Sequence, residues 1–280
     1  MSANFATHAT VRWNNGQCLP LTDDPITPEV PLAIRLRAYD NQGRWQVHDL
    51  AVTMRSPGQD DDLIRGYLFA EGIIQKTTDI TAIRYNSAEQ AEVVLAAGLI
   101  FKKAQHQRYS YTSSSCGLCG KSSLDQLSQT VCHFPIPAQP KISGEQLCRL
   151  PSLLNQQQLL FNQTGGIHAA ALYNQQGELL MSQEDVGRHN AFDKLCGKAL
   201  REQTFPWRDK VVLVSGRLSY ELVQKAAMAG TPILAAIGAP STLAIELAEE
   251  TGITLIGFLR EARFNIYTYP ERVTGVRIRE

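Results

Sequence analysis

No run of apolar residues in this sequence approaches the roughly 20 that a membrane-spanning helix needs. The N-terminal stretch MSANFATHATVRWNNGQC has no charged region followed by an apolar one, so no secretory signal is read there and a cytoplasmic location is expected. Net charge is lacking too. The 27 basic and 27 acidic residues cancel, which removes any global field favouring nucleic acid or a membrane surface. An anion site must then be local. Six cysteines, at 18, 116, 119, 132, 148 and 196, are too few and too scattered for a disulfide framework in 280 residues. Neither a Walker loop nor a GxGxxG fingerprint occurs, so an ordinary nucleoside triphosphate or NAD is not indicated. There is no internal repeat and no low-complexity tract.

What is present divides into three parts. Residues 1–29 are polar, dotted with proline, and read as an extended arm. Residues 30–138 read as a smaller α+β region. It has strands at 31–39 and 46–54 around an Asp-Asn-Gln-Gly turn, a helix at 60–72 with acids in its first turn, and strands at 80–85 and 91–96. Within it, about 98–121 is polar and basic with no sustained apolar period, and is expected to be a long movable loop that delivers a CxxC pair. A short helix is expected at 122–131 and a proline-rich linker at 135–140. Residues 139–280 alternate strand and helix, with a helix at 143–155, strands at 168–173, 178–182, 210–214, 232–237 and 253–258, and helices at 186–200, 219–229 and 242–251. That alternation predicts an α/β fold with helices covering a sheet.

The sequence SSSCGLCGK holds the densest thiol chemistry, Cys116 and Cys119. Such a pair suits half a zinc site, a dithiol switch or a carrier that passes a group from sulfur to a substrate. Zinc needs a second thiol or imidazole pair, and Cys132 and Cys148 stand alone. Lys102, Lys103, Arg108 and Lys121 nearby favour thiolate, which is the nucleophile. A reactive thiol on a glycine-hinged arm is therefore the preferred reading. Downstream, TGGIHAAA invites comparison with the zinc deaminases, but the H-x-E glutamate is absent after His168 and no CxxC follows. In EDVGRHNAFDK the acids and Lys194 fit ordinary helix electrostatics, whereas Gly187-Arg188-His189-Asn190 fits equally a helix start that presents Arg188, His189 and Asn190 to a ligand. The strand ends at Ser215-Gly216-Arg217-Leu218-Ser219 and Gly238-Ala239-Pro240-Ser241-Thr242 combine small residues with helix N-termini, and Arg217 adds a forked donor. With Phe258-Leu259-Arg260-Glu261-Ala262-Arg263 at the next strand end, they suggest a phosphate-bearing ligand.

Taken together, CGLCG, TGGIHAAA, EDVGRHNAFDK, SGRLSYELVQKAAMAG and TLIGFLREARFNIYT resemble the FdhD family, the accessory sulfurtransferases needed for formate dehydrogenase activity. The resemblance runs from about residue 30 to the C-terminus. It implies a cytidine-deaminase-like mixed sheet with helices and a homodimer. It also implies a persulfide carrier that accepts sulfur from a cysteine desulfurase of the IscS type and hands it to the molybdenum cofactor, bis-molybdopterin guanine dinucleotide, for formate dehydrogenase. On this resemblance Cys116 carries the persulfide, Cys119 is the second thiol, and Phe258, Leu259, Arg260, Glu261, Ala262 and Arg263 form the cofactor-binding stretch. Arg217 and His189 join that site from the reading of the strand ends and helix start, and no structural metal is expected. A shielded, partly closed cavity is expected as well. The alternative is a molybdenum-cofactor-binding chaperone without sulfur transfer. A thioredoxin-type oxidoreductase is disfavoured because the CxxC follows a basic loop rather than a strand.

Overall fold

The computed structural model describes residues 5–101, 135 and 138–276. Cys116, Cys119 and the short helix expected at 122–131 lie outside the described residues.

The arm is a long hairpin. Strand β1 (Ala6–Thr10) and strand β4 (Thr22–Ile26) pair antiparallel, as do β2 (Trp13–Asn14) and β3 (Gln17–Cys18). At its tip Asn15 and Gly16 take φ of 47° and 87°, the left-handed pair that a two-residue hairpin turn requires. The arm meets the body where Thr27 Oγ1 lies 2.6 Å from Thr164 Oγ1.

Period-two patterning then builds the first sheet. β5 (Val30–Tyr39) buries Leu32, Ile34, Leu36 and Ala38. Its opposite face carries Arg35, paired with Asp49 at 2.9 Å, and Arg37, paired with Glu92 at 2.9 Å. β6 (Trp45–Arg55), β7 (Ile80–Ser87) and β8 (Gln90–Leu95) complete a four-stranded sheet of order β6-β5-β8-β7. Helix α1 (Asp60–Ala70) adds Leu63, Ile64 and Leu68 to the same core.

In the second half β9 (Ile142–Ser143) leads into α2 (Gly144–Gln157), which opens on a Ser143/Gln146 capping box. A short helix, α3 (Leu159–Thr164), follows. The main sheet is made of β10 (His168–Tyr173), β11 (Leu179–Asp185), β12 (Val211–Val214), β13 (Ile233–Ala236), β14 (Thr254–Arg260) and β15 (Arg263–Ile266), in the order β11-β10-β12-β13-β14-β15. β12, β13 and β14 run parallel and the other pairings are antiparallel. On one face Val212, Val214, Leu234 and Ala236 pack with α4 (Arg188–Arg201), α5 (Tyr220–Met228) and α6 (Thr242–Thr251). On the other, Val211, Leu213, Ile233 and Ala235 meet Leu147, Leu150 and Leu154 of α2. Burial on both faces explains why these strands read as continuous apolar runs. A final strand, β16 (Val273–Thr274), pairs with β9. The fold is thus the expected α/β arrangement, a mixed sheet with helices preceded by a smaller α+β region.

The two halves share one core. Leu32 and Leu36 of the first sheet belong to the same buried cluster as Leu172 and Val212 of the second. α1 and α4 join them at a crossing with two glycines: a Cβ on Gly66 would lie 1.7 Å from the Asp193 carbonyl oxygen, and one on Gly197 would lie 1.8 Å from that of Asp62. The helix backbones therefore approach too closely for any side chain. Gly66→Ala and Gly197→Ala should each lower stability in urea unfolding by at least ~2 kcal/mol, the overpacking cost where backbone must move. Gly166→Ala is the control, since its added methyl would meet nothing nearer than 3.7 Å. Equal losses at all three positions would remove this account of the crossing.

Candidate functional site

The ends of β12, β13 and β14 lie side by side, and their exit loops continue as a backbone ladder. The Gly238 N–H donates to the Gly216 carbonyl and the Phe258 N–H to the Gly238 carbonyl, both at 3.0 Å. The Leu218 N–H reaches the Ala239 carbonyl and the Ser241 N–H the Leu218 carbonyl, also at 3.0 Å. Such close loops need glycine at Gly238, where a Cβ would sit 2.8 Å from the Gly216 carbonyl oxygen. Three helices begin at this edge. Ser219 caps α5 by accepting from the Leu222 N–H, and Ser241 caps α6 by accepting from the Ala244 N–H. α4 starts on Gly187 with no side-chain cap. Each N-terminus adds a partial positive charge, in the crevice where open α/β sheets hold their ligands.

The expected site residues fall into two groups on this edge. Arg217 is exposed in the loop after β12, with its Cγ 3.0 Å from the Cβ position of Gly238. His189, in the first turn of α4, places Nε2 3.0 Å from Ser219 Oγ and 3.7 Å from Glu221 Oε2. The second group follows β14. Phe258 takes φ 55° at the irregularity where β14 and β15 pair and exposes its ring, while Leu259 is fully buried in the core under α2. Arg260 Nη1 donates to the carbonyls of Ile237 at 2.7 Å and Leu259 at 2.8 Å. Arg260, Glu261, Ala262 and Arg263 line a cavity of about 670 Å³ with Pro151, Ser152, Asn155 and Gln156 of α2. That volume is within the roughly 300–1,000 Å³ usual for small-molecule sites. The Phe258–Gly238–Gly216 ladder connects the two groups. The α2 residues had no signal in the sequence, being ordinary polar positions on a helix.

The EDVGRHNAFDK run faces two ways. Asp185 and Lys194 form an ion pair of 2.7 Å with almost no exposure. Asp185 also accepts from the Ser56 N–H at 3.1 Å, the Gly187 N–H at 2.9 Å and Asn190 Nδ2 at 3.2 Å. Asn190 Nδ2 donates to the Met54 carbonyl at 2.7 Å, and Lys194 Nζ to that of Ser56 at 3.0 Å. Asn190 is therefore turned to the first sheet, not presented to a ligand; the helix start offers only Arg188 and His189. One turn on, Asp193 pairs with Lys225 at 2.6 Å, both buried.

Both histidines at the edge are held neutral. His168 Nδ1 lies 3.4 Å from Ser215 Oγ, and burial followed by the Arg188 charge lowers its pKa. For His189 burial is the largest cause; Glu221 opposes it, Lys225, Arg188 and His168 add to it, and the pKa comes down to about 4. Because the folded value lies below the ordinary 6.5, this group's contribution to stability is complete above pH 6.5 and is lost as pH falls toward 4. The His189 ring should accordingly titrate by NMR with a midpoint below pH 5. A midpoint near 6.5 would contradict the burial argument.

With the geometry in place, relatives can be compared. The FdhD/NarQ family model matches residues 28–274. The chain is 48% identical to the sulfur carrier protein FdhD of Mycolicibacterium paratuberculosis, over 97% of this chain and 98% of that protein. It is 42% identical to the sulfur carrier protein FdhD of Sulfurisphaera tokodaii, over 90% and 92% respectively. A crystal structure assigned to a formate dehydrogenase accessory protein from Desulfotalea psychrophila matches with a TM-score of 0.72 at 26% identity, covering 96% of this chain and 99% of that one. The chain belongs to the FdhD/NarQ family.

Proposed function

We propose that this protein is a sulfur carrier serving formate dehydrogenase, loaded on Cys116 and unloading to a guanine-dinucleotide form of the molybdenum cofactor. Two kinds of support meet here. Relatives over nearly the whole chain are called sulfur carrier proteins, and a structural neighbour is assigned as a formate dehydrogenase accessory protein. The observation that carries the cargo half is the edge itself: Arg217 and three helix N-termini lie along it, and Arg260 and Arg263, after β14, line a cavity of about 670 Å³ against α2. This is the chemistry that pyrophosphate groups call for.

In this reading the Cys116 thiolate attacks the terminal sulfur of a persulfide on a cysteine desulfurase of the IscS type. The desulfurase S–S bond breaks, its thiolate leaves, and Cys116 becomes the persulfide. Release of that sulfur as sulfide needs two electrons. Attack of the Cys119 thiolate on Cys116 Sγ supplies them and leaves a Cys116–Cys119 disulfide. Bis-molybdopterin guanine dinucleotide is the acceptor, held through Phe258, Arg260, Glu261, Ala262 and Arg263 with Arg217 and His189, while Leu259 anchors the stretch in the core. The protein acts in the cytoplasm as a homodimer.

Intact mass after incubation with desulfurase and cysteine tests the carrier half. Wild type and Cys119→Ala should gain ~32 Da and Cys116→Ala should not. No gain on any form, with an active desulfurase, would leave a cofactor-binding chaperone in place of a carrier. Arg263→Ala should weaken cofactor retention on the purified protein and leave the mass gain intact. Loss of loading with unchanged retention would remove Arg263 from the pocket.

A further inference from the structure

Arg188, at the first position of α4, is partly buried, with its stem against the Gly216 loop. Its guanidinium makes no hydrogen bond or ion pair among the described residues, and its Nε is buried. A buried donor left unpaired is costly, so such a donor calls for a partner from outside the chain, whether a water, an ion or a ligand. The carboxylate nearest to hand by sequence, Asp185, is already bonded to Lys194, Ser56, Gly187 and Asn190. Arg65 of α1 also has unpaired buried nitrogens, but it lies in the field of Asp62. Arg188 instead faces two imidazoles, those of His168 and His189, whose pKa values its charge lowers.

The surroundings hold the stem of that side chain. Its Cδ lies 3.2 Å, and His168 Nδ1 3.5 Å, from where a Cβ on Gly216 would stand. Glycine there leaves the arginine stem room between the loop after β12 and the start of β10. Ser215 and Ser219 hold the two rings, at 3.4 and 3.0 Å. The result is a cation at the carboxyl edge, close to His168 and next in sequence to His189, at a helix start without a side-chain cap.

We propose that Arg188 is the pyrophosphate-binding residue of the edge, taking a diphosphate of the nucleotide cargo in its guanidinium fork, with His168 and His189 as hydrogen-bonding walls. The assignment rests on the reading of the edge as a nucleotide site. It separates the phosphate end, at Arg188, from the cavity lined by Arg260 to Arg263. A guanidinium suits a diphosphate because its planar donors can bind two oxygens at once.

The test compares Arg188→Met with wild type by thermal unfolding and by titration with inorganic pyrophosphate, GDP and guanosine. Methionine keeps the apolar stem and removes the guanidinium with its orphaned Nε donor. Without ligand the variant should unfold at the wild-type temperature or about 2 °C above it. Pyrophosphate and GDP should raise the wild-type midpoint, guanosine much less, and the variant should bind both anions at least tenfold more weakly. A variant that binds pyrophosphate and GDP like wild type overturns the assignment and leaves the nucleotide reading standing. A variant that unfolds well below wild type also overturns it, since Arg188 would then be structural. If wild type itself responds to neither pyrophosphate nor GDP, the nucleotide reading of the edge fails, and the assignment with it.

Discussion

Asp185 and Lys194 are paired at 2.7 Å in a site almost closed to water, and both also bond to the segment that leaves β6. Removing one partner of such a pair leaves a buried charge uncompensated, at a cost of about 3–5 kcal/mol. The pair joins the end of β11 to the second turn of α4 and binds Ser56, just after β6, so three segments are fixed at once. The Gly66–Gly197 crossing of α1 on α4 lies beyond it, and the two halves of the chain bury one common core across that seam. Everything that projects from the start of α4 takes its direction from this anchorage.

Direction matters because the first two turns of this helix serve opposite ends. Asn190, Asp193 and Lys194 point inward, to Met54, Lys225 and Asp185. Arg188 and His189, at its first two positions, remain at the sheet edge. A helix start held by a buried ion pair cannot rotate to satisfy its own polar groups. The unpaired guanidinium and the desolvated imidazole beside it therefore persist, as cost at this edge offset by packing elsewhere. Preorganised donors of this kind need little rearrangement when an anion arrives.

Much of the fold was legible from periodicity. The alternation of PLAIRLRAY put Leu32, Ile34, Leu36 and Ala38 on the buried face of β5, and the apolar runs VVLV and ILAA became strands buried on both sides. The loops after β12 and β13, marked in the sequence by small residues before a helix cap, meet at the carboxyl edge of the sheet. Helix α3 was not foreseen. Its free N–H groups at Leu160 and Phe161 are capped by the Glu184 carboxylate at 3.1 and 3.0 Å, more than 20 residues downstream. Nothing in FNQTGG itself announces a cap that arrives from another strand.

The sequence by itself determined most of the main elements, the α/β class and the edge on which Arg217, His189, Phe258 and Arg260 lie. Those signals are local, carried by side-chain period, turn residues and caps within a few positions. Tertiary structure alone decided that Asn190 faces inward while Arg188 does not, that Leu259 is core while Arg260 lines a cavity, and that Asn155 and Gln156 of α2 share that cavity. Each of these depends on contacts between segments far apart in the chain, such as Ser56 with Asp185 across 129 residues. A hydrogen bond of that span leaves no periodic trace in either segment, because its partner is chosen by packing and not by spacing.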